Sequence, residues 1–310
     1  MIISAFLPLL SAMISLFIVW LLASLAHAQQ WKYLFTFGDS YTATGFELSQ
    51  IPQPSPGNPF GNPAYPGARL SGGNIYLDII SSSTLRNQTA IYNFAVGANP
   101  VNYSRAQFSE QYIVQGPIKD FRDQQKQFET LNRNKRTLGW NTTNSLFLSF
   151  FGINDVAVQI YSGRNNASSY EPILRADVLD YWNLVERQYR LGGRRFLTVL
   201  VPPINRAPAF DYGNSTSAAD VSRAISYWNS QMITGNQNFL KKWPNARSRI
   251  FDPTSTFNQI LNNPRSYGAP NATCFSMPDG QPCLWRDFIH PGIRLHGALG
   301  EAIGKVVATF

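Results

Sequence analysis

Four times in this chain of 310 residues an apolar run of strand length halts at glycine or proline. Lys32-Tyr33-Leu34-Phe35-Thr36-Phe37 meets Gly38, and a run near Ile91 to Ala95 ends at Gly97. Leu146 to Phe151 meets Gly152, and Phe196 to Val201 meets Pro202-Pro203. Strands with no polar alternation have no face to offer water, so both faces must be covered. A fifth, weaker strand is expected at residues 249–252. Between the runs lie helical patterns. A short one covers residues 74–82. Leu174, Val178, Trp182, Val185 and Tyr189 share one face of a longer one, which Gly192-Gly193 ends. Val221, Ile225, Trp228 and Met232 mark a third, and Leu295, Leu299, Ile303 and Val307 a fourth that starts near Ile293.

Alternating buried strands and amphipathic helices predict an α/β chain with a parallel sheet between helical layers. Charged residues make up only 14% of the chain, against roughly 25% in ordinary soluble proteins, which excludes disordered and coiled-coil architectures. No internal period suggests a solenoid or propeller. In open parallel sheets ligands gather at the carboxyl ends of the strands. That rule puts Ser40, Gly97 and Asn154, each just past a strand, on one edge. No break in composition divides the chain after its first segment, so residues 29–310 are expected to form one domain.

Residues 2–26 carry no charged side chain and end in Ala26-His27-Ala28, the small-x-small pattern of a signal cleavage site. No Lys or Arg precedes the apolar run, and an apolar stretch of this length can also remain as a membrane anchor. The placement of the Ala-x-Ala site favours a cleaved signal over residues 1–28 and a secreted, extracellular protein. Six Asn-x-Ser/Thr acceptors fit that compartment: Asn87, Asn102, Asn141, Asn166, Asn214 and Asn271. In an oxidising milieu the only two cysteines, Cys274 and Cys283, are expected to close a short disulfide loop. The other reading is two free buried thiols, against which the turn-like residues 275–280 count. The net charge of +8 is scattered, without a basic stripe or tail, so no nucleic acid partner is expected.

Beyond the signal there are two histidines, His290 and His296. Asp287 lies three residues before His290, so a carboxylate can hold the imidazole in the tautomer whose free nitrogen accepts a proton. Alone, that pair reads equally as a capping Asp and an ordinary loop His. Ser40 follows strand-Gly-Asp and is expected to open a helix, exposing its hydroxyl and its N–H. A plain Ser N-cap gives the same pattern. Gly97 lets backbone approach a ligand, or simply ends a strand. The amide of Asn154 in Gly152-Ile153-Asn154-Asp155 is an oxyanion donor or turn chemistry. The combination, in this order and at strand ends, is what carries weight.

At these residues the chain resembles the SGNH, or GDSL, hydrolase family. The matching blocks are Phe37-Gly38-Asp39-Ser40, Asn93-Phe94-Ala95-Val96-Gly97, Gly152-Ile153-Asn154-Asp155 and Asp287-Phe288-Ile289-His290-Pro291. With Arg69-Leu70-Ser71-Gly72-Gly73-Asn74-Ile75-Tyr76-Leu77-Asp78 and the two cysteines, the chain is similar to fungal secreted acetylesterases of carbohydrate esterase family sixteen. The resemblance implies a three-layer α/β/α sandwich with a mainly five-stranded, flavodoxin-like parallel sheet. It implies Ser40 as nucleophile, His290 as base and Asp287 as its orienting carboxylate. Ser40 N–H, Gly97 N–H and the Asn154 side chain would form the oxyanion hole, with Asp39 structural. The second block departs from the pattern, since relatives often show two glycines where this chain has Gly97-Ala98.

The activity implied is hydrolysis of acetyl esters on plant cell-wall carbohydrate such as xylo- or cello-oligosaccharides, without cofactor or metal. The expected partner is an acetylated oligosaccharide or other short-chain ester, with no stable membrane association after cleavage, and the protein is expected to be a monomer. Phe60, Tyr65, Trp140 and Tyr161 are candidates for stacking on sugar rings, or they simply pack loops. The alternatives are a lipase or broad carboxylesterase of longer acyl preference, and a non-catalytic carbohydrate-binding protein that kept the fold. N-terminal sequencing of the exported protein is expected to begin at Gln29; a start at Met1 would show a retained anchor.

Overall fold

A computed structural model describes residues 31–106, 116–133, 138–211 and 218–310. The signal segment and the Asn214 acceptor lie outside them. Five strands form the sheet: β1 Tyr33–Gly38, β2 Ala90–Asn93, β3 Ser145–Phe150, β4 Arg195–Val199 and β5 Arg247–Phe251. All neighbours pair in parallel, in the order β2-β1-β3-β4-β5. Every residue of β3 is buried, including Ser145 and Ser149, whose hydroxyls are hydrogen-bonded. At the edge, β5 alternates instead, with Arg247 and Arg249 exposed, and this explains its weaker sequence signal.

The helices are α1 Tyr76–Ile79, α2 Tyr103–Ala106, α3 Phe121–Asn132, α4 Ile153–Tyr161, α5 Ala167–Arg190, α6 Ala218–Lys242, α7 Thr254–Leu261 and α8 Ile293–Ala308. Helices α1 and α8 pack together on one face of the sheet, with α3, α5 and α6 on the other. The expected helix at 74–82 is shorter, because α1 passes into a π-helical turn at Ile80–Thr84. Four helices escape the sequence reading, and α3 shows why. Asp120 caps it by accepting from the N–H groups of Arg122 and Asp123. Phe121, Phe128 and Leu131 face the core, but Gln124 and Gln125 interrupt the apolar stripe and are equally buried.

Between the sheet and α3 the rings of Phe35, Phe128, Trp140 and Phe147 pack edge-on or tilted at 5.0–5.8 Å. Trp140 is only 2% exposed, so it belongs to the core and not to a sugar-binding surface. Burying each such ring stabilises the fold by roughly 1.5–3 kcal/mol. Arg187, Arg190, Lys241, Lys242 and Lys305 occupy last helical turns, where the carbonyl ends of the helix dipoles favour cations.

Gly152 joins β3 to α4 with φ at +115°, and a Cβ there would lie 2.3 Å from Trp228 Nε1. Gly152→Ala is therefore expected to lower unfolding free energy by about 2 kcal/mol or more. Denaturant titration of both proteins measures the difference.

Candidate active site

β1 delivers the chain to Asp39 and Ser40 at the carboxyl edge of the sheet. Here the chain forms a turn rather than the expected helix: the carbonyl of Asp39 accepts from Thr42 N–H at 3.0 Å and from Ala43 N–H at 2.9 Å. The Asp39 side chain points inward. It is fully buried, its Oδ1 accepts from Tyr41 N–H at 3.0 Å, and burial pushes its pKa up to about 7. Ser40 is 6% exposed.

β2 stops at Asn93, earlier than the sequence suggests, because that side chain redirects the chain. Its Oδ1 accepts from Thr36 Oγ1 and Ala95 N–H, and its Nδ2 donates to Thr42 O and Thr44 Oγ1. Gly97 follows, close enough that a Cβ on it would lie 3.9 Å from Ser40 Cβ. The left-handed backbone falls one residue later, at Ala98 with φ 60°, where a second glycine would be relaxed. Asn154 stands in the first turn of α4, and its Nδ2 donates to Asn99 O at 3.2 Å. Within the described residues, the backbone N–H groups of Ser40 and Gly97 make no hydrogen bond. These two donors and the Asn154 amide therefore gather on one edge of the sheet.

Asp287 and His290 lie in the loop before α8. Nδ1 of His290 sits 2.9 and 2.8 Å from the two carboxylate oxygens, while the N–H groups of His290 and Ile289 donate to Oδ1 at 2.8 and 3.1 Å. Burial works against the Asp287 charge, but the His290 ring and these N–H groups outweigh it and bring the pKa to about 2. The carboxylate is thus ionised at neutral pH and holds the proton on Nδ1, leaving Nε2 as the acceptor. Arg286, which the sequence reading passes over, adds a 3.2 Å contact to Asp287 Oδ2. Tyr41 ties this loop to the serine turn: its hydroxyl donates to Ile289 O at 2.6 Å, and its ring lies 6.2 Å from that of His290.

His296 is a different kind of histidine. It is fully buried in α8, where Nδ1 accepts from Tyr76 N–H at 3.3 Å. Burial first, and then the charge of His290, lower its pKa to about 3. Cys274 and Cys283 are joined in a disulfide, and Gly72 lies so close to this loop that a Cβ would overlap Pro278 O at 1.6 Å. Of the glycan acceptors, Asn87, Asn141, Asn166 and Asn271 are exposed. Asn102 is the exception: it is 1% exposed, donates to Asp180 Oδ2 and accepts from Ser104, so it offers no amide to a glycan. Tyr65 and Tyr161 are 60% and 43% exposed, with Tyr161 stacked on Phe210 at 5.4 Å. Phe60 is half-buried beneath the Arg69 guanidinium, which itself pairs in bidentate fashion with Asp78. A largely apolar cavity of about 1380 Å³ opens beside Gly97, lined by Phe46, Leu48, Leu70, Val96, Ile118 and Leu131 among others.

Residues 34–303 match the family model described as GDSL-like lipase/acylhydrolase. An acetylesterase from Thermothelomyces thermophilus is 35% identical over 88% of this chain and 87% of its own length. An acetylesterase from Hypocrea jecorina is 24% identical over 89% of each chain. Among solved structures, an acetyl xylan esterase from Geobacillus stearothermophilus has the same fold, with a TM-score of 0.50 at 16% identity, covering 89% of this chain and 94% of its own.

His296 makes one identifiable contribution to the pH dependence of stability. Its pKa falls from 6.5 in the unfolded chain to about 3 in the fold, so between these values the unfolded state holds a proton that the native state lacks. His296 therefore costs stability as pH falls from about 6.5 toward 3, while Asp39, raised from 3.8 to about 7, works in the opposite sense between about pH 7 and 3.8. His296→Asn, which keeps an acceptor for Tyr76 N–H, is expected to lose less stability than wild type between about pH 6.5 and 4 in denaturant titrations. An unchanged slope would assign the acid sensitivity to other groups.

Proposed function

The chain belongs to the GDSL-like lipase/acylhydrolase family and is a carboxylic ester hydrolase, and from that premise we propose that it is a secreted serine esterase removing acetyl groups from oligosaccharides. The observation that carries the mechanism is the clasp of Asp287 on His290 Nδ1, tied by Tyr41 to the turn that bears Ser40. A serine hydroxyl is a weak nucleophile until a base takes its proton during attack. His290 Nε2 accepts that proton while Ser40 Oγ bonds to the ester carbonyl carbon, and the ionised Asp287 stabilises the resulting imidazolium.

The carbonyl oxygen, now anionic, is met by Ser40 N–H, Gly97 N–H and Asn154 Nδ2. Each such donor is worth about 10²–10³ in rate. Collapse breaks the bond to the sugar oxygen, which leaves with the proton from His290. A water molecule then gives a proton to His290 and attacks the acyl-enzyme, and acetate departs as Ser40 regains its proton. Every step uses groups of this chain and water.

Acetate as the acyl group is supported by the acetylesterase relatives. Oligosaccharide as the alcohol is supported by the exposed Tyr65 and Tyr161. Secretion is supported by the Ala26-His27-Ala28 site and by four exposed glycan acceptors. The working form is a monomer without stable membrane association. One observation favours a second reading: the apolar cavity beside Gly97 suits a longer acyl chain.

Acetate release from acetylated xylo-oligosaccharides, with nitrophenyl esters from acetyl to octanoyl alongside, tests both. We expect acetyl esters to be preferred, Ser40→Ala to be inactive yet folded, and Asp287→Ala to lose less than His290→Ala. Substantial hydrolysis by Ser40→Ala would sink the mechanism. Turnover restricted to long chains would move the enzyme to the lipase reading.

A further inference from the structure

Gln124 lies outside every motif block, on α3, and is completely buried. Its amide grips the end of β1 from both sides: Gly38 N–H donates to Oε1 at 2.9 Å, and Nε2 donates to Gly38 O at 2.7 Å. The second Nε2 hydrogen goes to Asn99 Oδ1 at 2.8 Å. Asn99 is the residue whose backbone carbonyl receives Asn154 Nδ2 at 3.2 Å. Gly38 O also accepts Val96 N–H at 3.2 Å. One side chain is thus bonded to the strand end two residues before Ser40 and to the loop that carries Gly97. It is also bonded directly to Asn99, the residue against which the Asn154 amide rests.

A buried amide with three bonds satisfied in a fixed plane has one orientation, and it transmits that orientation to whatever it holds. A glutamine placed only to fasten α3 to the sheet would need the Gly38 pair alone. The second Nε2 hydrogen must also find an acceptor in so buried a place, and the one it finds is Asn99, the residue on which the Asn154 amide rests. We propose that Gln124 is the positioning residue of the oxyanion site: by fixing Asn99 against Gly38 it sets the direction of the Asn154 amide relative to Ser40. The inference rests on Asn154 being an oxyanion donor, as read above. It adds a residue that touches no substrate.

The test is a double-mutant cycle on acetyl-ester hydrolysis with full-length mature enzyme, reading kcat and KM separately. Asn154→Ala is expected to lower kcat about 10²-fold. Gln124→Met, which keeps size and loses all three bonds, is expected to lower kcat about tenfold with KM within about twofold. In the Asn154→Ala background the same substitution should cost less than about threefold, because the group it positions is gone. Equal losses in both backgrounds would overturn the proposal and make Gln124 a structural fastener. So would an unchanged kcat in folded Gln124→Met. Full kcat in Asn154→Ala would overturn the proposal together with the reading of Asn154 as a donor, a result distinct from additivity. If Gln124→Met does not fold, Asn99→Ala removes the third bond together with the Asn99 Nδ2 bond to Ile118 O, spares the Gly38 clasp, and enters the same cycle with the same criteria.

Discussion

The parallel pairing of β1 between β2 and β3 is the constraint on which the site depends. Because β1 is hydrogen-bonded on both sides along its length, its carboxyl end cannot move without carrying the ends of its neighbours. Ser40 lies past β1, Gly97 past β2 and Asn154 past β3, so three groups far apart in sequence are registered by backbone ladders. The order β2-β1-β3 reverses direction at β1, and such reversals open a crevice at the carboxyl edge of the sheet. The histidine does not come from the sheet. Its loop is anchored by Tyr41 to the serine turn and is pressed on the 69–73 segment at Gly72, where any side chain would collide.

Charge is distributed to suit that arrangement. Arg187, Arg190, Lys241 and Lys242 sit in last helical turns, where the helix dipole and the carboxylates of Glu129 and Glu186 favour cations. Near the crevice the ionisable groups are sorted by burial. Asp39 has its charge penalised by complete desolvation, whereas half-buried Asp287 keeps its charge because N–H donors converge on it. The two histidines divide likewise: one is held by a carboxylate at the surface of the crevice, the other is a neutral acceptor inside α8. The same residue type serves two purposes, decided by what surrounds it.

Much of this was legible in the sequence because its causes are local. Strands without polar alternation are recognisable wherever they occur, and all five were placed to within a few residues. The edge strand β5 was the faintest, since Arg247 and Arg249 break its apolar run. The pairing of Asp287 with His290 was legible because three residues span one turn. What was hidden depended on tertiary neighbours. Trp140 is flanked by glycine and asparagine and reads as a loop aromatic, yet Phe35, Phe128 and Phe147 enclose it. Asn102 reads as a glycan acceptor until Asp180, 78 residues away, claims its amide.

α3 joins these two lessons. Its apolar period is broken by Gln124 and Gln125, and a buried glutamine is costly unless its amide is satisfied, by roughly 1–3 kcal/mol for each unmet group. Both are satisfied, but toward different ends. Gln125 bonds across to Gln188 and so fastens α3 to α5. Gln124 bonds to the termini of the strand and loop that bear the reacting groups. The same substitution pattern that hides the helix from a periodicity argument therefore marks the place where the scaffold meets the site. An apolar residue at either position would read more clearly as helix, but at 124 it would leave Gly38 and Asn99 without their partner and at 125 it would leave Gln188 without its own.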